Sequence, residues 1–537
     1  MPLMTGAEAA VAALRAHDVG HVFGIPGVHT LALYDALRNQ SDIRHILARH
    51  EQGAGFMAEG YARVTGKPGV AFVITGPGVT NVATPMASAY SDSVPLLVIG
   101  SSLPRRTRLR PSGDLHELRN QFGVMESLAG WTRTVDRVED IPEAVGDALR
   151  AMSRGRPRGA YLEIPLDLLE ARAEITITKP TLLAPARPDP AKITAIAKLL
   201  AQAERPLIVA GSGVTAAGAN RALATLAEKL GAPVLLGGKS RDALPSDFPL
   251  GLAVSGYGLG QEFMAFVARH DAVLVIGSKL GDQRTDQGRL PLPRILAQID
   301  IDPAEIGLRY PTTIGLEADA GVAIEALLAA LPESRHDRAA LAAEIEIARA
   351  AIAATARAGY GADLDLLQAV REAVPADGIV VADMTALGYL AADVWPVYAP
   401  RTFIHSSELC TIGCALPQAL GAKVGAPDRP VVALCGDGGF LLNPGEMATA
   451  VQENLGVVVV LGNDATYSAV KSAQRDDYKR RYIATDLKAP DYVALAHAFG
   501  AEGARADAPA DLESALAAAL AANRPALIEV PLPPRHW

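Results

Sequence analysis

The sequence predicts an α/β protein made of three doubly wound parallel-sheet domains. Three observations predict it. Apolar runs such as Gly69 to Ile74, Ala272 to Ile276 and Val457 to Leu461 are continuous rather than alternating, which marks strands buried on both faces. Helical patterns rich in small residues separate these runs, so strand and helix alternate. Glycine turns, Thr75-Gly76-Pro77-Gly78 and Gly436-Asp437-Gly438-Gly439, follow two of the strands at the carboxyl edge, where ligands of open α/β sheets bind.

Taken in order, residues 1–175 form the first predicted domain. A helix from Gly6 to His17 leads to Val22-Phe23-Gly24 and the turn Ile25-Pro26-Gly27. A helix over Thr30 to Asn39 and a short strand near Ile43 to Leu47 follow. Arg49-His50-Glu51 then opens a helix of small residues ending near Thr65. Further strands are expected at Gly69 to Ile74, Leu96 to Ile99 and Ala160 to Ile164. The proline-rich stretch Lys179 to Pro190 reads as a linker. Residues 190–330 form the second domain, with strands at Pro206 to Ala210, Pro233 to Leu236, Ala272 to Ile276 and Ile295 to Ile301. Gly211-Ser212-Gly213 hints at dinucleotide binding but lacks the third glycine, and is read as a helix-packing turn. An Ala-rich, charged connection from Pro332 to about Tyr360 is expected to be helical. Residues 360–537 form the third domain, with strands at Ile379 to Ala382, Val431 to Cys435, Val457 to Leu461 and Ala526 to Val530. No fixed-period repeat is visible.

Composition excludes several classes. The 537 residues carry a net charge of −9 and no basic stripe, so nucleic acid is not an expected partner. The arginines between Arg105 and Arg110 read as a solvated loop. No apolar run approaches the roughly 20 residues that span a bilayer. No signal peptide is read ahead of Thr5, and Cys410, Cys414 and Cys435 read as reduced, buried thiols, so a cytoplasmic location is expected.

Two groups of residues carry chemistry. Asp437 is followed 26 and 27 residues later by Asn463 and Asp464, each set at the end of a buried strand. Hard oxygen ligands beside bare glycine backbone suit Mg²⁺ bridging to a diphosphate. Glu51, followed by Gly53, Ala54, Gly55, Phe56 and Met57, is a carboxylate with few polar competitors.

The motifs Phe23-Gly24-Ile25-Pro26-Gly27, His50-Glu51-Gln52-Gly53-Ala54, Glu59-Gly60-Tyr61-Ala62-Arg63, Thr75-Gly76-Pro77-Gly78, Leu416-Pro417 and Gly436-Asp437-Gly438 resemble the acetolactate synthase-like superfamily of thiamin diphosphate enzymes. Ile276 to Leu280 and Ile299 to Gly307 resemble that family's central domain. The match runs the whole chain in order, and Ile25 to Thr30 with Arg49 to Met57 look closest to the branch of 2-ketoarginine decarboxylases.

The resemblance implies pyrimidine-binding, central and diphosphate-binding domains, in that order, and thiamin diphosphate with Mg²⁺ as cofactors. Glu51 would be the partner of the cofactor's pyrimidine ring and favour the tautomer that activates it. Pro26 and Thr75 would line the pyrimidine side, and Ile412 would hold the cofactor bent, a role that a stiff β-branched side chain suits. Gly436, Asp437, Gly438 and Gly439 would cradle the diphosphate, with Tyr467 beside them. The family has Asn-Asn where this chain has Asn463-Asp464; Asp464 or, with a one-residue shift, Asn463 would join Asp437 and the Thr466 carbonyl on the metal. His29, His116 and Gln121 are candidates for work on the substrate, with His405 a further histidine that could reach the pocket. No two histidines are adjacent in the chain. The charged stretch Tyr467 to Tyr482, with Lys471 and Arg475, would shape the substrate entrance and reads as a solvated face. The expected activity is decarboxylation of a 2-oxo acid with carboligation, as in acetolactate synthase. The alternatives are a non-ligating decarboxylase, for instance of a guanidino 2-oxo acid, and a non-catalytic paralogue. Active sites would lie between the subunits of a dimer within a homotetramer.

Overall fold

The computed structural model describes residues 2–108, 110–178, 185, 187–254, 260–333 and 337–532. Most of the expected linker from Lys179 to Pro190 lies outside the described residues. Among the described residues no helix is long and apolar enough to cross a membrane.

Three six-stranded parallel sheets organise the chain. The first domain has β1 (Leu3–Thr5), β2 (His21–Gly24), β3 (Arg44–Leu47), β4 (Gly69–Val73), β5 (Leu96–Ser102), β6 (Trp131–Thr134), β7 (Ala160–Pro165) and β8 (Arg172–Glu174). Its sheet runs β3-β2-β4-β5-β7-β6, while β1 and β8 pair antiparallel as a separate ribbon. The central domain has β9 (Pro206–Ala210), β10 (Val234–Leu236), β11 (Gly251–Ala253), β12 (Ala272–Ile276), β13 (Ile295–Asp300) and β14 (Ile314–Glu317), in the order β11-β10-β9-β12-β13-β14. The third has β15 (Ile379–Ala382), β16 (Phe403–His405), β17 (Val431–Gly436), β18 (Val457–Asn463), β19 (Glu502–Arg505) and β20 (Ala526–Pro531), in the order β16-β15-β17-β18-β20-β19. The first and third sheets therefore share one topology, although the sequence shows no repeat.

That topology places the site. In the first sheet the second strand lies on one side of the first strand and the third on the other, so the order reverses between β2 and β4. In the third it reverses between β15 and β17. Loops diverge at such a switch and leave a crevice at the strand ends. The turns after β2 and β4 carry Pro26, His29, Thr75 and Gly76; those after β15 and β17 carry Asp383, Gly436 and Asp437.

The strands missed from sequence are edge or near-edge strands of three or four residues, such as Trp131–Thr134, Phe403–His405 and Glu502–Arg505. They are too short to show a period. The connection expected to be helical is a helix, Arg338–Ala373, bent at Gly361 where φ is 42°. The glycines of Gly211-Ser212-Gly213 have a packing reason: a Cβ on Gly211 would lie 2.0 Å from the Gly277 carbonyl oxygen. One correction concerns side chains. Cys410 is only half-buried, unlike Cys414 and Cys435. Arg105, Arg106 and Arg110 are exposed, and Arg105 Nε donates to Asp167 at 2.8 Å and its Nη1 to the Asp136 carbonyl at 2.8 Å.

The first and third domains share one core. The helix Glu51–Thr65 lies along the helix Ala415–Gly425 with their backbones nearly touching. A Cβ on Gly60 would stand 2.0 Å from the Gln418 carbonyl oxygen, and one on Gly421 would stand 1.8 Å from that of Met57. Met57, Ala58, Tyr61, Ala415, Ala419 and Leu420 fill the space around these contacts. Small residues in the Glu51 helix therefore serve close approach, which fixes Glu51 against the third domain.

Candidate active site

Glu51 is the first residue of its helix. The His50 side chain caps that helix, its Nδ1 accepting from Gln52 N at 3.0 Å. Glu446, from the third domain, accepts the Arg49 and His50 amides at 3.1 Å each, and a Cβ on Gly53 would lie 2.0 Å from its Oε1. The Glu51 carboxylate itself accepts from Asn81 Nδ2 at 2.9 Å. Asn81 ends the short helix Pro77–Asn81, which the Thr75-Gly76 turn opens. Asn81 and Glu446 were not foreseen from the sequence. Asn81 had a visible signal, a polar residue one helical turn past Gly78; Glu446 had none, being about 400 residues away in the chain.

The Gly76 turn is held from below. Thr75 N donates to Ser101 Oγ at 3.0 Å, and Gly76, with φ of 72°, donates its amide to Gln121 Oε1 at 2.8 Å. The two N–H groups of Gln121 Nε2 have three acceptors within reach, the Ser101 carbonyl, the Tyr161 hydroxyl and Glu163, at 2.9 to 3.0 Å. Its amide is spent on the protein, so this geometry gives Gln121 the work of holding the turn.

Above the turn, His29 and His116 meet. Their ring centroids are 5.1 Å apart at an edge-on 63°. They come from separate loops, 87 positions apart in sequence. A Cβ on Gly76 would lie 2.4 Å from the His116 carbonyl oxygen, which places His116 directly on the turn. Among the described residues, the buried Nδ1 of each ring has no hydrogen-bond partner. His116 has φ of 66°, a conformation that costs of order 1–3 kcal/mol and persists only where its surroundings enforce it. Burial, then the charge of His116, hold His29 below the usual histidine range, and Asp114 opposes them.

On the third domain, Asp437 follows β17. One carboxylate oxygen, Oδ2, is buried and has no hydrogen-bond partner among the described residues. Burial, with Asp464 adding to it, pushes its carboxyl up to about 6. A buried anion beside a second anion is costly unless a cation offsets it, so the donor set fits a divalent metal. Asp464 Oδ1 accepts from Thr466 N and Oγ1 at 3.1 Å, and its Oδ2 accepts from Ser468. Asn463 spends its amide elsewhere, donating to Glu529 at 2.8 Å and accepting from Ala465 N at 3.1 Å. A Cβ on Gly438 would stand 2.5 Å from the Tyr467 ring, and one on Gly439 would lie 3.3 Å from Ile412 Cγ1. Tyr467 and Ile412 thus lie against the glycine turn. Bare backbone there suits a diphosphate, which needs N–H groups that no side chain covers.

Other residues sit apart. His405 is buried at the end of β16, among the charges of Arg63, Asp92 and Arg241 where the three domains meet, rather than on the glycine turn. Lys471 is buried and pairs with Asp486 at 2.5 Å, so the helix Ser468–Asp476 is not a wholly solvated face.

The first domain thus carries a glutamate at a helix N-terminus, and the third, of the same strand order, carries a carboxylate-and-glycine turn. Three family descriptions match the chain in sequence order. They are Thiamine pyrophosphate enzyme, N-terminal TPP binding domain over residues 4–124, central domain over 193–327 and C-terminal TPP binding domain over 383–530. The chain is 39% identical over 538 residues to a probable 2-ketoarginine decarboxylase of Pseudomonas aeruginosa, covering 98% of this chain and 94% of that protein. It is 32% identical over 553 residues to a probable acetolactate synthase large subunit of Methanocaldococcus jannaschii, covering 99% and 92%. It is also 32% identical over 552 residues to an acetolactate synthase of Mycobacterium leprae, covering 98% and 87%. The chain therefore belongs to the thiamine pyrophosphate enzyme family, within its acetolactate synthase-like group.

Proposed function

We propose that this enzyme decarboxylates a 2-oxo acid and protonates the product for release as an aldehyde. The observation that carries the reading is the His29–His116 pair at the pyrimidine-side turn. When bound, thiamin diphosphate supplies the electron sink that lets CO₂ leave a 2-oxo acid. Glu51 holds a proton toward the pyrimidine ring, and Asn81 and His50 fix its orientation. Asp437, Asp464 and the Thr466 carbonyl would hold Mg²⁺, which would offset the diphosphate's charge. His29 and His116 stand ready to give a proton to the carbon that CO₂ has left, since the buried Nδ1 of each is unspent.

The likeness to the Pseudomonas protein makes a guanidino 2-oxo acid the first substrate to test. Asp114, whose charge acts on His29, offers a carboxylate for a cationic tail. Carboligation is the second reading. Val28, 62% exposed next to His29, supports it, because no acid stands at that place.

The site is proposed to close between two copies of the chain. Exposed apolar side chains flank both halves: Val28, Leu31 and Leu115 at 56–62% exposure on the first domain, and Leu442, Val470, Tyr478 and Ile483 at 50–76% on the third. Such patches suit burial in a dimer interface.

The test is product analysis with a panel of 2-oxo acids, thiamin diphosphate and Mg²⁺, beside His29→Asn and His116→Asn. Aldehyde from a guanidino acid, lost in both variants while a single-turnover burst of about one CO₂ per site remains, supports the reading. Acetolactate from pyruvate as the main product transfers it to the carboligases.

A further inference from the structure

We propose that Asp383 is a positioning residue that sets the place of Ile412 at the cofactor site. The inference rests on the thiamin diphosphate reading and adds a residue that no motif pointed to.

Asp383 follows β15 directly, at the crevice where the strand order of the third sheet reverses. It is 1% exposed. Its Oδ1 accepts from Met384 N at 2.7 Å, and Oδ1 and Oδ2 share the Gly413 amide at 2.9 and 3.0 Å. The backbone amides of Cys414 and Ala415 also favour its charged form. One carboxylate thus holds the Gly413 amide at the head of the turn that leads into the helix Ala415–Gly425. Its Oδ2 lies 3.0 Å from the point where a Cβ on Gly439 would stand, and Ile412 Cγ1 lies 3.3 Å from that same point. Asp383 and Ile412 therefore border one spot on the diphosphate turn.

The turn is held on its other side as well. Asn443 donates from Nδ2 to the Gly413 carbonyl at 2.7 Å, and Gly413 has φ of 84°, a conformation open to glycine. Ile412 is only half-buried, so its own packing does not fix it. Its position follows from the two clamps on the next residue. A carboxylate this deep is a poor source of stability, because burial penalises its charge. Its multiple bonds to one functional turn give it a positional role.

The experiment is a double-mutant cycle read by kcat and by thiamin diphosphate binding in calorimetry. Asp383→Asn keeps the shape but replaces one acceptor oxygen with a donor facing other donors. It is expected to lower kcat by about 10- to 100-fold, with the cofactor Kd changed far less, since a shift of order 1 Å suffices for such a loss. Ile412→Ala is expected to lower kcat similarly. In the Ile412→Ala protein, Asp383→Asn should lower kcat by no more than a further factor of about 2, because coupled sites do not add as independent ones do. A double variant whose loss is the product of the two single losses overturns the proposal, as does wild-type kcat in Asp383→Asn. If Asp383→Asn does not fold, Gly413→Ala displaces the same turn from the other side, and its loss must vanish in the Ile412→Ala protein; a multiplying loss again overturns it. Glu51→Gln tests the cofactor reading by itself. Full activity there sinks that reading whatever the cycle shows.

Discussion

The first and third domains have the same strand order, yet they present their carboxylates in opposite ways. Glu51 begins a helix and is fixed by partners: Asn81 on its carboxylate and, on the turn before it, Glu446 from the other domain. Asp437 follows a strand and keeps one buried oxygen without a partner among the described residues. On the proposed reading, a fixed orientation suits Glu51 to hold and pass a proton, and an open oxygen suits Asp437 to hold a metal. One topology would then supply two kinds of site, the difference lying in what surrounds each strand end.

Breaking the two sides should give different failures. The largest effect is expected from Glu51→Gln: turnover falls by about 10²- to 10⁴-fold, the range of general acid–base catalysis, while the cofactor still binds. Turnover within threefold of wild type would contradict the role given to Glu51. Asp437→Asn should fail by binding instead. The Mg²⁺ needed for half-activity should rise by at least the roughly 10- to 100-fold that even an outer-sphere partner is worth. An unchanged Mg²⁺ titration would remove Asp437 from the metal. Asn81→Ala sharpens the first side; losing one hydrogen bond to a charged group costs about 1.5–3 kcal/mol, so a kcat loss of about 10-fold or more is expected with Mg²⁺ dependence unaltered.

The remaining two predictions concern how the domains are joined. Gly421→Ala forces a methyl group against the Met57 carbonyl and should lower stability by about 1–3 kcal/mol or more, read by denaturant unfolding. An unchanged midpoint would mean the helices do not touch as described. His405, buried among the three domains, is held by burial at about 4, below its ordinary value of 6.5. The unfolded chain takes up a proton below 6.5 and the folded chain does not. The stability it contributes is therefore complete above pH 6.5 and lost as pH falls toward 4, by up to about 3 kcal/mol. His405→Asn should flatten the fall of melting temperature across that range; parallel profiles for the two proteins would rule the histidine out as the cause.

The chain itself determined a good deal. Continuous apolar runs can be satisfied only by strands covered on both faces, so Val457 to Leu461 and Ala272 to Ile276 were legible as central strands of parallel sheets. Glycines beside Asp437 and small residues after Glu51 were legible because each reflects a local need, bare backbone in one case and close approach in the other. Tertiary structure decided what depends on distant partners. The sequence shows no adjacent histidines, yet folding puts His29 on His116. It shows Gln121 near the site, yet folding spends its amide on Gly76, Ser101 and Glu163. It gives no signal for Asp383 or Glu446, whose partners lie 30 and about 400 residues away. Periodicity and turn chemistry are short-range, whereas a hydrogen bond between loops depends on where strands finally lie. The shared order of the first and third sheets is of the same kind, because a topology constrains which strand ends meet without constraining which residues occupy them.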